Sequence, residues 1–227
     1  MNDTRNQLIE AIQREKLIVI IRGVETNKLI PLAKALYAGG IRLMEVTYSA
    51  DGTVSDEETA AQIAMLSSHM HGKMAVGAGT VLTEEQVQRT ADAGGQFIIS
   101  PDVFPDVIRK TRECGMVSIP GAMTPTEIQN AVRAGADFIK LFPASIFGTD
   151  YIKAITAPLS HVKLLAVGGI TLDNIGMYRS VGIRGFGIGA SIVKKSLIDS
   201  GNFEAITALA KQYRDVISAE EPLWQST

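Results

Sequence analysis

The 227-residue sequence predicts an α/β fold: a (β/α)8 TIM barrel with an extra N-terminal helix, forming a single domain over residues 1–227. Three observations predict it. Eight short β-rich runs recur along the chain, and each is uniformly apolar rather than alternating. Uniform apolarity marks parallel strands covered on both faces. The segments between the runs read as amphipathic helices, as a crossover between parallel strands requires. A doubly wound open sheet is the structural alternative, but the chain lacks a dinucleotide fingerprint.

In chain order, residues 4–15 read as the extra helix. The eight runs are KLIVIIR (16–22), IRLMEVT (41–47), KMAVGAG (73–79), GQFIIS (95–100), GMVSIP (115–120), ADFIKLF (136–142), VKLLAVGG (162–169) and IRGFGIG (183–189). Between them, residues 26–40 place Leu29, Leu32, Ala33 and Leu36 on one helical face. Residues 83–95 open on a threonine cap followed by acids, and 124–136 repeat the design. Ala-Gly pairs at 38–39, 93–94 and 134–135 read as helix ends turning into the next strand. Residues 49–60 read as a longer polar loop leading into a helix, and 203–218 as the last helix.

Composition narrows the function classes. Lys+Arg number 22 and Asp+Glu 24, a net charge of −2, and no basic segment points to nucleic acid. The opening MNDTRNQLIE is too polar for a secretory signal, and no apolar run approaches a membrane span. A single cysteine, Cys114, excludes an internal disulfide. A cytoplasmic protein without membrane or nucleic-acid partners is expected.

A lysine breaks the apolar pattern of the sixth run. Lys140 sits in the middle of the sixth run, where an uncompensated ammonium costs several kcal/mol. In a parallel barrel the chemistry lies at the C-terminal strand ends. Reading those ends brings Arg22, Glu45 and Lys140 from three strands to one face. A lysine in an apolar barrel has its charged form destabilised, and the neutral amine attacks carbonyl carbon to form a Schiff base. A nearby carboxylate moves protons, and an arginine holds a carboxylate with parallel hydrogen bonds. The set suits bond-making next to a keto acid. Gly168-Gly169 ahead of TLDNI, a plausible helix start, and Gly189-Ala190-Ser191 fit a phosphate site in the loops after strands seven and eight.

These motifs resemble a known family, the class I aldolases acting on 2-keto-3-deoxy-6-phosphogluconate (KDPG), 2-keto-4-hydroxyglutarate (KHG) and 2-keto-3-deoxy-6-phosphogalactonate. The resemblance runs over about residues 15–200. It is carried by LIVIIRG (17–23), GGIRLMEVT (39–47), VGAGTVL (76–82), ISPDVFPDVI (99–108), IPG (119–121), FIKLFPAS (138–145), AVGGIT (166–171) and GIGAS (187–191). It implies that Lys140 forms the Schiff base and Glu45 is the general acid/base, working through a water. It implies that Arg22 and Thr80 contact the substrate carboxylate and that Pro101 and Phe142 line the pocket. Gly168, Gly169 and Ser191 would hold the phosphate, with Gly189 in the same loop region. The resemblance further implies a homotrimer that needs no metal or cofactor, and a phosphorylated keto-acid substrate cleaved to pyruvate and glyceraldehyde 3-phosphate, with 4-hydroxy-2-oxoglutarate as a further substrate. One departure stands out. Phosphogluconate and hydroxyglutarate members usually carry an arginine four residues after the glutamate, and this chain has Ser49. Phosphogalactonate members also lack it, and FGTDYIKAI (147–155) resembles their version of that stretch.

Other readings stand beside this one. Lys140 could pair with Asp137 or snorkel to the barrel mouth. Glu45 could be a structural ion-pair partner, and the glycine pair could serve tight turning alone. His69 and His71 have a metal-like spacing without a third ligand nearby, and a solvated loop is favoured over a metal site. A sugar-phosphate epimerase or decarboxylase is a competing enzyme, but the decarboxylase pattern Asp-x-Lys-x-x-Asp is absent. A sugar-acid-binding barrel without activity is the non-enzymatic alternative.

Overall fold

The computed structural model describes residues 2–146 and 148–219; Trp224, whose docking the sequence leaves open, lies outside them. The elements run α1 (Asn2–Glu15), β1 (Leu17–Ile21), α2 (Thr26–Ala38), β2 (Leu43–Thr47), α3 (Asp56–His69), β3 (Ala75–Gly79), α4 (Glu84–Asp92), β4 (Phe97–Ile99), α5 (Pro105–Glu113) and β5 (Val117–Ile119). They continue with β6 (Gly121–Ala122), α6 (Pro125–Ala134), β7 (Ile139–Leu141), α7 (Gly148–Thr156), β8 (Leu164–Val167), α8 (Ile175–Arg179), β9 (Gly185–Ile188), α9 (Lys195–Asp199) and α10 (Phe203–Ser218).

Every strand pair is parallel, and the sheet order is β5-β4-β3-β2-β1-β9-β8-β7-β6. The two ends of that order, β5 and β6, are neighbours in sequence, so the sheet wraps onto itself. β5 lies within the fifth run of the sequence, 115–120, and β6 continues just beyond it, on the other side of Pro120. Proline has no N–H to give to the ladder, so the strand breaks there. The ring is closed across the break by Phe138 N–H donating to the Ser118 carbonyl (3.3 Å) and Lys140 N–H to the Pro120 carbonyl (2.9 Å).

The strand pleat sorts the core into two layers. Leu17, Val19 and Ile21 of β1 pack outward with Leu29, Leu32 and Leu36 of α2. Ile18 belongs to a separate inner cluster with Leu43, Phe97, Val117, Phe138 and Leu165. Alternation of this kind is forced by the two-residue period of a strand. Leu8 and Ile12 of α1 join the inner cluster, so the extra helix plugs the end of the barrel where the strands begin. Arg5 of α1 pairs with Asp137, whose other oxygen accepts from Ser118 N–H (3.0 Å). Asp137 is therefore committed to the helix plug and is not the partner of Lys140.

Local capping follows the sequence closely. Thr83 accepts from Gln86 N–H at the start of α4. Thr124 and Glu127 form a reciprocal capping box ahead of α6. His69 ends α3, its ring nitrogen against the Met65 carbonyl (3.0 Å), rather than standing in a loop. The helix expected at TLDNI starts only at Ile175, because Asn174 folds back: its Oδ1 accepts from Thr171 N–H and its Nδ2 donates to the Gly169 carbonyl. No helix among the described residues is long and apolar enough to cross a membrane.

Candidate active site

The pleat that buries Phe138 inside the barrel also turns Lys140, two residues on, into the interior. Glu45 lies on the inner face of β2 two residues after Leu43, and faces Ile20 of β1 and Gly77 of β3 in register. Both are buried, Lys140 at 7% exposure and Glu45 at 3%. They share a cavity of about 700 Å³ at the C-terminal ends of the strands. Arg22, Thr80, Pro101, Phe142, Gly168, Gly169, Gly189 and Ser191 all line the same cavity, so the structure brings together the residues expected for the keto-acid chemistry.

Burial dominates the electrostatics. Desolvation lowers the proton affinity of Lys140, helped by the Arg22 charge and opposed by Glu45. The Lys140 ammonium position lies 4.5 Å from the centre of the Phe142 ring, which gives it a cation–π contact but no ion pair among the described residues. Desolvation pushes the Glu45 carboxyl up from 4.5 to about 7, against the pull of Lys140, Arg22 and the Thr47 hydroxyl. Thr47 Oγ1 donates to Glu45 Oε1 at 3.4 Å, and Oε2 is buried with no partner among the described residues. A buried, unpaired carboxylate oxygen in a cavity is poised to take or give a proton.

The room for that carboxylate comes from Gly79. A Cβ at this position would lie 2.1 Å from Glu45 Oε1. Its neighbour Thr80 holds a positive φ of 54°, rare for a β-branched residue, and accepts from Arg22 Nη2 at 3.4 Å. Arg22 and Thr80 thus stand together on one wall.

The two glycine loops meet on another wall. Ser191 Oγ donates to the Ile170 carbonyl (3.2 Å), tying the loop after β9 to the loop after β8. Gly169 has φ 74°, and a Cβ there would lie 2.2 Å from Ser145 Oγ. The phosphate-site expectation combined glycine-loop N–H groups with a helix start at TLDNI; the turn held by Asn174 stands at that start, so any anion would be met by the loop N–H groups and hydroxyls.

Sequence reasoning gave no role to Thr47, Gly79, Ser145 or Asp51. Thr47 was findable, since residues two apart on a strand share a face. Gly79 and Ser145 act through distant contacts that no local pattern reveals. Beyond β2, Ser49 Oγ and Thr53 Oγ1 both donate to Asp51 Oδ1 (2.5 and 2.9 Å), which also accepts Thr53 N–H (3.2 Å). These bonds hold the Asp51 carboxyl down at about 2 and place a fixed negative charge on the cavity rim.

A family model described as "Aldolase: KDPG and KHG aldolase" matches residues 8–209. The chain belongs to that family. The probable 2-dehydro-3-deoxy-6-phosphogalactonate aldolase of Rhizobium meliloti is 40% identical over 182 residues, covering 80% of this chain and 83% of that protein. The 2-dehydro-3-deoxy-phosphogluconate aldolase of Treponema pallidum is 35% identical over 212 residues, covering 92% and 97%. A crystal structure of KDPG aldolase from Legionella pneumophila, with pyruvate captured as a covalent carbinolamine, superimposes with a TM-score of 0.80 at 29% identity, covering 89% of this chain and 96% of that one. The KDPG and KHG aldolase fold is therefore the barrel described above, and its members are carbon–carbon lyases.

Proposed function

We propose that the protein is a Schiff-base aldolase that cleaves a 2-keto-3-deoxy-6-phospho sugar acid to pyruvate and glyceraldehyde 3-phosphate. The observation that carries this is Lys140 and Glu45 buried together in one barrel cavity, each with its charged form disfavoured by burial.

Neutral Lys140 attacks the C2 ketone to give a carbinolamine, and loss of water leaves an iminium. Glu45, directly or through one water, takes the C4 hydroxyl proton. The C3–C4 bond breaks, its electron pair moves into the iminium to form an enamine, and the aldehyde leaves. A proton returned to C3 regenerates the iminium, and hydrolysis releases pyruvate. A carboxyl near 7 serves both proton transfers, because both of its forms are populated at neutral pH. In this reading Arg22 and Thr80 grip the substrate carboxylate, Pro101 and Phe142 shape the pocket, and Gly168, Gly169, Gly189 and Ser191 receive the phosphate.

Between the C4 epimers, the phosphogalactonate type is favoured by Ser49. An arginine there would meet the Asp51 carboxylate, whereas serine stays hydrogen-bonded within the rim. The 40%-identical Rhizobium meliloti relative carries the same substrate name. Release of pyruvate from both phosphorylated epimers and from 4-hydroxy-2-oxoglutarate, followed with lactate dehydrogenase and NADH, tests the reading. The phosphogalactonate-type epimer is expected to have the highest kcat/KM. A preference for hydroxyglutarate would overturn the phosphate assignment. The trimer expected from the family is part of the same proposal, and light scattering checks it.

A further inference from the structure

At the opposite end of the barrel from Lys140 lies a second cavity of about 620 Å³, beside the starts of β1, β8 and β9. That volume falls within the ~300–1,000 Å³ of small-molecule sites. Its walls carry Lys16, Lys163, Arg179 and Arg184, with His161, and no aspartate or glutamate among the described residues. Ile183, Phe186 and Ile217 give it an apolar floor.

The cations differ in what satisfies them. Arg179 donates to the Val216 carbonyl (2.9 Å) and to Ala219 O, so it is engaged by the negative end of α10. Lys163 donates to the neutral Gln13 Oε1 (3.3 Å) and lies 5.3 Å from the Phe138 ring centre. Lys16, Lys163 and Arg184 form no ion pair among the described residues. Three cations without an ion pair among the described residues, in one concave, partly apolar wall, focus a positive potential that attracts anions. The wall is also firmly built. Lys16 holds a left-handed backbone, φ 57°, fixed by its N–H to the Ile12 carbonyl and by its carbonyl to Phe186 N–H (2.8 Å). Arg184 N–H donates to the Leu164 carbonyl (2.8 Å).

We infer that this cavity is a second anion site, which takes a small, multiply charged anion, for which pyrophosphate is the probe. It is separated from the aldolase cavity by the inner core cluster and shares no lining residue with it. The inference therefore stands whether or not the proposed chemistry does.

The test is calorimetric titration with inorganic pyrophosphate in 0.15 M NaCl, a salt level at which loose surface binding is largely screened. The wild-type chain is compared with Arg184→Glu, with Lys163→Met/Arg184→Glu, and with Ser191→Asp, which puts a carboxylate in the upper glycine loops. Two pyrophosphates per wild-type chain are expected. The double variant should lose one of them, with at least tenfold weaker binding, while its kcat and KM without pyrophosphate stay at wild-type values. Ser191→Asp should keep that site and weaken the other. Arg184 is exposed and makes no side-chain bond among the described residues, so the single variant reads the same loss without risk to the fold. A nucleoside diphosphate run in parallel assigns the source: tighter binding than pyrophosphate marks a nucleotide, weaker binding a simple multiply charged anion. Identical isotherms for wild type and both Arg184 variants, whether one or two pyrophosphates bind per chain, would overturn the inference.

Discussion

Replacing Glu45 by glutamine should make the protein more stable, and increasingly so as the pH rises. The folded carboxyl is raised from 4.5 to about 7. A raised folded value means the native state holds its proton more tightly than the unfolded state does. The stability linked to that proton is fully present below 4.5 and is lost as the pH climbs through about 7. At about 1.4 kcal/mol per pH unit, the shift corresponds to about 3 kcal/mol. Glutamine keeps the shape and one acceptor for the Thr47 hydroxyl, and it carries no ionisation. Urea unfolding at pH 5 and pH 8, at one protein concentration, gives wild-type and variant stabilities. The advantage of Glu45→Gln should grow by about 2–3 kcal/mol between those pH values. A difference constant with pH would refute the reasoning, because it would mean that Glu45 ionises as easily folded as unfolded.

The same carboxyl should appear in catalysis: kcat should fall by about 10²–10⁴-fold in Glu45→Gln, and the pH limb near 7 in wild-type kcat should vanish, as stopped-time pyruvate assays would show. Gly79→Ala drives a methyl to within 2.1 Å of Glu45 Oε1; overpacking costs about 1–3 kcal/mol, and kcat should drop more than KM rises. Arg22→Ala should raise KM about 10–100-fold with a smaller effect on kcat, from the loss of about 1.5–3 kcal/mol of charged hydrogen bonding to the carboxylate. Ser49→Arg breaks the Asp51 rim and should move the kcat/KM ratio about two- to fivefold from phosphogalactonate-type substrate towards hydroxyglutarate, the range of about 0.4–1 kcal/mol that one exposed charge can supply. An unchanged ratio would remove Ser49 from substrate choice.

The parts of the fold that are local in origin were the parts most legible in the sequence. The last helix, 203–218, has the bounds expected from its pattern, and Thr83 and Thr124 cap the helices they were read to cap. The site was legible for a different reason: a charge inside an apolar run is conspicuous, and barrel geometry then says which end of the strand matters. Lys140, Glu45 and Arg22 were found that way. What stayed hidden depends on chain segments far apart in sequence. The break at Pro120 adds β6, a strand just past the fifth run, to the eight expected among the described residues, and only the closed ring shows that β5 and β6 face different partners. Asn174 delays α8 by bonding backward to Thr171 and Gly169, although TLDNI reads as a plausible helix start. The pairing of Asp137 with Arg5 crosses from the sixth run to the extra helix, and no spacing rule connects them.

The central claim is that Lys140 forms a covalent imine with the keto acid. Borohydride reduction in the presence of pyruvate, read by intact mass and peptide mapping, tests it most directly. The account predicts one pyruvate-sized adduct per chain, on the peptide containing Lys140, and none in Lys140→Ala. A folded wild-type protein that forms no adduct, or an adduct on another lysine, would contradict it.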